Sequence, residues 1–132
     1  MISKMEIYNM IPTEFIPQTL FFDKDVALGK ALERVLDDGI SFPFIAKPDI
    51  GMKAFGVEKV HNKDEFREYV SWTPSHFLVQ ELIPYQKEMG IFYVRKPNEA
   101  QGKITGMVSK EFLSVTGDGQ STMLELIKKN PR

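Results

Sequence analysis
Lysines carry most of the chemical information in this sequence. Lys47 ends the run FPFIAKP, whose other members are apolar. An ammonium in that position must meet water or an anion, because leaving it buried and unpaired costs several kcal/mol. A solvent-exposed strand end and an anionic ligand both satisfy this requirement. The stretch that follows, DIGMKAFG, sets Gly51 and Gly56 beside the cation and adds Lys53 as a second charge. Glycines let a backbone come close to a ligand and turn its N–H groups toward phosphate oxygens, and they serve equally well in a hairpin turn. A Walker motif is absent, since that would need Gly-Lys-Ser/Thr opening a helix. Between two strands, the loop has the form of a flap over a triphosphate.

Lys110 is the third informative lysine. Strict alternation along KITGMVSKEF puts Ile104, Gly106, Val108, Lys110 and Phe112 on one face, so a lysine interrupts an apolar row. Such a row suits a cleft that stacks a base and neutralises its phosphates; a fraying strand end whose lysine stem snorkels to water accounts for it too. A strand end at Glu81 can offer backbone groups to an adenine edge, and Glu88 can accept ribose hydroxyls. In isolation two surface glutamates mean little. His61 and His76 have no metal-ligand spacing, and no Ser-His-Asp set can be assembled. Asp23 and Asp25 read as the cap of a helix rather than a metal site.

The elements that must position these residues follow from periodicity. Residues 3 to 10 form a short helical turn that ends before Pro12. FIPQTLFF reads as a strand. From Asp23 the period becomes helical, with Val26, Leu28, Ala31, Leu32, Val35 and Leu36 on one side and Gly39 placed as the C′ glycine. FPFIAKP and GVEKV are strands. Asn62 and Glu65 form a variant capping box that opens a helix with Phe66, Tyr69 and Val70 inward. HFLVQELI is a strand, GIFYVRK and KITGMVSKEFL make a hairpin around PNEAQG, and Thr122 with Glu125 caps a last helix. The fold class is therefore α+β with a mainly antiparallel sheet and flanking helices. IPYQKE, where an apolar strand ends in a proline and a polar run, is the boundary between two small lobes, 1–84 and 85–132.

Composition excludes several function classes. The 132 residues hold 17 basic and 18 acidic side chains, so no global field draws a nucleic acid or an anionic membrane. Nothing resembles a secretory signal, and no apolar run approaches the roughly 20 residues of a membrane span. The chain has no cysteine, which removes thiolate chemistry and agrees with a cytoplasmic location.

With these residues in view the sequence resembles the ATP-grasp superfamily of carboxylate-amine ligases, which includes D-alanine:D-alanine ligase, biotin carboxylase and cyanophycin synthetase. Ser3-Lys4 is similar to the family's Asp-Lys, which makes Lys4 the first nucleotide lysine. FPFIAKP resembles the strand that delivers the second, Lys47, and GMKAFGV resembles the glycine-rich phosphate loop, with Ala54 where glycine is usual. LVQELI resembles the hinge on which adenine hangs, so Gln80, Glu81, Leu82 and Ile83 become base contacts and Glu88 the ribose acceptor. VTGDGQSTMLELI is similar to a GDG-x-x-T-x-x-ELI segment of the cyanophycin synthetase type. The resemblance implies the first lobe, with its preceding linker helix and strand, in 1–84 and part of the second lobe in 85–132. It implies ATP as ligand and transfer of its γ-phosphoryl group to a small-molecule or peptide carboxylate, giving an acyl-phosphate for attack by an amine. Lys4, Lys47 and Lys110 then neutralise phosphate charge. By the same resemblance the acidic ligands for Mg²⁺ and a substrate domain lie outside the chain, so the chain alone is expected to bind nucleotide weakly without turnover. A homo-oligomer is compatible with the sequence. Two rivals stand beside this reading: a non-catalytic interaction module that kept the scaffold, and an unrelated α+β domain whose glycines serve turns only.

Overall fold
The computed structural model describes residues 2–51, 54–111 and 114–130. The chain divides into two compact units, Met1–Pro84 and Tyr85–Arg132. The architecture is α+β, and every strand pair is antiparallel.

The first unit contains a four-stranded sheet in the order β1-β4-β2-β3, built from β1 (Thr19–Phe22), β2 (Phe44–Pro48), β3 (Glu58–Val60) and β4 (Phe77–Glu81). Helices α2 (Leu28–Asp37) and α3 (Lys63–Trp72) contribute Ala31, Val35, Phe66 and Tyr69 to a core with Leu20, Phe22, Phe44, Ala46, Phe77 and Val79. Alternation assigns the opposite face. Register places Thr19 beside Gln80 and Gln80 beside Ile45, with Leu78 beside both Phe21 and Lys47, so these six side chains share the face turned away from that core.

Local chemistry explains most element boundaries. Gly39 has φ +81°, and its N–H and that of Ile40 bond back to Leu36 and Val35, the two bonds of a Schellman stop. Asn62 Oδ1 accepts from the Asp64 and Glu65 N–H groups, while the Glu65 carboxylate takes the His61 N–H, one residue before the position a standard capping box would use. Helix α2 starts later than the sequence pattern indicates. Its N-cap is Ala27 with no side-chain cap bond; the Asp23 backbone carbonyl closes a turn to the Val26 N–H, and the Asp23 carboxylate lies 3.2 Å from His76 Nδ1. Asp23 and Asp25 therefore do not cap a helix. The strand expected over FIPQTLFF is confined to Thr19–Phe22. Thr13–Phe15 forms a 3₁₀ turn after Pro12, and Pro17 has no N–H to give a ladder.

The second unit is a two-stranded ribbon, β5 (Glu88–Val94) and β6 (Lys103–Lys110), with helix α4 (Met123–Lys129). Phe92 pairs with Gly106 but Tyr93 pairs with Ile104, so Thr105 is an extra residue in β6. This bulge corrects the strict alternation. Gly106, Val108 and Lys110 share a face with Glu88, Gly90 and Phe92, whereas Ile104 falls on the other face with Met107. Phe112 lies outside the described residues. The Thr122–Glu125 capping box has both of its reciprocal bonds.

Candidate functional site
The short helix α1 (Lys4–Tyr8) lays two residues, i and i+4 and so on one helical face, against the end of β2. Lys4 Nζ donates to the carbonyls of Pro48 at 2.7 Å, Asp49 at 3.0 Å and Gly51 at 3.4 Å. It clasps the start of the glycine loop. Tyr8 supplies its phenol oxygen to Lys47 Nζ at 2.8 Å.

Asp49 fixes this helix in place. Its carboxylate accepts from the Ser3 hydroxyl at 2.9 Å and the Met5 N–H at 3.0 Å, and its carbonyl accepts from the Lys4 N–H at 3.1 Å. The side chain is buried, so these bonds meet little competition from water. Ser3 caps the same helix through the Glu6 N–H. Helix α1 itself buries no residue, and its attachment to the sheet is polar.

Lys47 projects from the non-core face of the sheet. Besides Tyr8 its ammonium reaches Gln80 Oε1 at 2.7 Å, the diagonal neighbour across β2 and β4. The orientation of the Gln80 amide is determined by its surroundings. Its Nε2 donates to Thr19 Oγ1 at 2.6 Å, and Thr19 donates in turn to the Pro17 carbonyl at 2.8 Å. A reversed amide would set a donor against the ammonium and leave Thr19 without one. Among the described residues Lys47 forms no ion pair, and both of its acceptors are neutral. A half-buried ammonium with neutral partners gains from an anion brought alongside it.

A cleft of about 600 Å³ opens beside this network, lined by Met5, Tyr8, Ile16, Gln18, Thr19 and Glu81 among others. Its volume lies within the range of small-molecule sites. Glu81 pairs reciprocally with Gln18, its N–H donating to the Gln18 carbonyl at 3.0 Å and its carboxylate accepting the Gln18 N–H at 3.1 Å. The chain then leaves the sheet at Leu82 and Ile83, whose backbone groups bond to no other described residue.

The structure thus brings Lys4, Lys47 and Gly51 to the end of β2, from which the Lys47 side chain reaches back to Gln80, while Glu81, Leu82 and Ile83 continue from β4 past Phe44, at the opposite end of β2. Gly56 has a packing reason for being glycine. Its φ is +68°, and a Cβ there would lie 2.9 Å from Pro48 Cγ. Lys53 lies outside the described residues. In the second unit Glu88 and Lys110 face each other across the ribbon as an ion pair, which turns the two charges inward on one another. Tyr8, Thr19 and Asp49 were not singled out by the sequence; the one available signal was the i, i+4 spacing of Lys4 and Tyr8.

Among the described residues no three His, Cys, Asp or Glu side chains gather at one point. No described helix is long and apolar enough to cross a membrane. No protein-family model matches the chain, and no curated protein matches it.

Proposed function
We propose that the first unit grips the nucleotide of an ATP-grasp type ligase, with ATP as the ligand and a carboxylate activated as its acyl-phosphate by the whole protein. The observation that carries this reading is the Lys47 ammonium, fixed by Tyr8 and Gln80 and, among the described residues, without a carboxylate partner. Lys4 and the start of the glycine loop lie at the same strand end. A triphosphate arriving there meets Lys47 directly and Lys4 after it releases a carbonyl, while the unpaired backbone of Leu82 and Ile83 suits the edge of an adenine.

A second reading, a non-catalytic module on the same scaffold, draws support from the Glu88–Lys110 pair, because the two charges assigned to nucleotide satisfy each other. Calorimetry with ATP and magnesium separates the two. Binding in the micromolar to millimolar range that is lost in Lys47→Ala supports the nucleotide lobe. Absence of heat at millimolar ATP, or a Lys47→Ala variant that is less stable but binds as before, favours the module.

A further inference from the structure
We infer that Tyr8 is a positioning residue, holding the Lys47 ammonium in the orientation from which it takes a phosphate oxygen; this rests on the reading of Lys47 as an anion-binding cation. The ammonium lies 2.8 Å from the phenol oxygen and 5.2 Å from the ring centroid. The larger distance places the nitrogen beyond the hydroxyl end of the ring rather than above its face. Tyr8 therefore acts on Lys47 through its oxygen, and the aromatic surface contributes little.

An ammonium has three N–H donors. Tyr8 and Gln80 take two of them, and both acceptors are fixed from behind: Gln80 by Thr19, and Tyr8 by a helix tied to Asp49 through Ser3 and Met5. The remaining donor can bond an incoming oxygen without disturbing either partner. A free lysine would lose the rotamer freedom of its stem on binding, whereas here that freedom is already lost on folding. Competition between Tyr8 and the anion would predict the opposite sign, since removing the hydroxyl would then release a donor.

Tyr8→Phe keeps the ring and deletes only the oxygen. The full chain and this variant are titrated with tripolyphosphate and with ATP, and the Lys47 ammonium is followed by ¹H–¹⁵N NMR. The expected result is about fivefold weaker binding of both anions, the loss of roughly one hydrogen bond. It is accompanied by faster exchange of the Lys47 ammonium protons, a signature that packing alone would not move. Equal or tighter binding of both anions by Tyr8→Phe overturns the role of Tyr8 and leaves the nucleotide reading in place. Binding of tripolyphosphate with the expected Tyr8 dependence, but of ATP no more tightly than tripolyphosphate, supports Tyr8 and removes the nucleotide. No binding of either anion by the unaltered chain overturns both.

Discussion

The carboxylate of Asp49 accepts the backbone N–H of Met5 at 3.0 Å across 44 positions of sequence, so a residue at the mouth of the glycine loop caps a helix at the start of the chain. With the Ser3 hydroxyl on the same oxygen, the bond ties the Tyr8 support of Lys47 to the strand that carries Lys47. Asp49→Ala removes the buried oxygen that accepts both bonds, and hydrogen bonds to a charged group contribute about 1.5–3 kcal/mol. We expect a loss of about 2 kcal/mol in urea unfolding followed through Trp72, the one tryptophan of the chain. Asp49→Asn keeps one oxygen acceptor and should recover part of this. An unaltered midpoint for Asp49→Ala would show that the helix is not held there in solution.

What could be read from the sequence divides along the range of the interactions. Gly39, Asn62 and Thr122 act on residues within four positions, and their roles were legible because capping depends on local backbone geometry. The apolar run FPFIAKP likewise set Lys47 apart as its one charged member. The partners of Lys47 were not legible, since Tyr8 and Gln80 stand 39 and 33 positions away and only the folded sheet brings them together. Thr105 shows a different failure. A bulge has no composition signal of its own, and one inserted residue moved Ile104 to the other face of the ribbon. Asp23 misled because its carboxylate lies beside His76, a partner far along the chain, rather than at a helix N-terminus.

Ala54 and Gly56 make a contrasting pair in the glycine loop. Ala54 has φ +60°, a left-handed conformation in which a Cβ costs roughly 1–2 kcal/mol. Ala54→Gly relieves that strain but frees the unfolded chain, so the expected net gain is about 0.5–1 kcal/mol. Gly56→Ala works the other way, adding the same conformational strain and a contact of 2.9 Å with Pro48, which cannot move without β2. A loss of about 2 kcal/mol or more is expected. Thermal unfolding of both variants is the check, and a destabilised Ala54→Gly would contradict the left-handed assignment.

Tyr69 makes stability fall in alkali. Burial pushes its phenol up to about 12, with a further contribution from the charge of Glu58. The neutral phenol is the form the core accepts, and its hydroxyl donates to the Gly56 carbonyl at 3.2 Å. Below the ordinary value of 10 neither state ionises and the stabilisation is fully present. As pH rises from about 10 to 12 the unfolded chain ionises first, and stability declines by on the order of 2 kcal/mol. Tyr69→Phe should flatten this part of the pH profile, measured by denaturant unfolding at fixed pH steps. A profile equally steep in Tyr69→Phe would assign the alkaline loss to other groups.

Asp118 should act in acid, in the turn that leads to α4. Its carboxylate accepts the Ser121 N–H at 2.6 Å, the Gln120 N–H at 3.0 Å and the Ser121 hydroxyl at 2.7 Å. The Ser121 and Gln120 backbone bonds, followed by the Ser121 hydroxyl, hold its carboxyl at about 2, below the ordinary 3.8. A depressed folded value means that the stabilisation is complete above the unfolded value and is lost as pH falls through the folded one. The turn should therefore hold at pH 4 and open progressively toward pH 2. Glu125, lowered by the Thr122 N–H and hydroxyl, should weaken the capping box of α4 in the same direction. Carboxyl ¹³C shifts of the two residues, followed with the α4 amide signals, provide the measurement. In Asp118→Asn the acid-dependent opening of the turn should disappear while the Glu125 titration persists. If the Asp118 carboxyl instead titrates at its ordinary value, the carboxylate is not bonded in solution, and the amide signals of Gln120 and Ser121 should then be insensitive to the substitution.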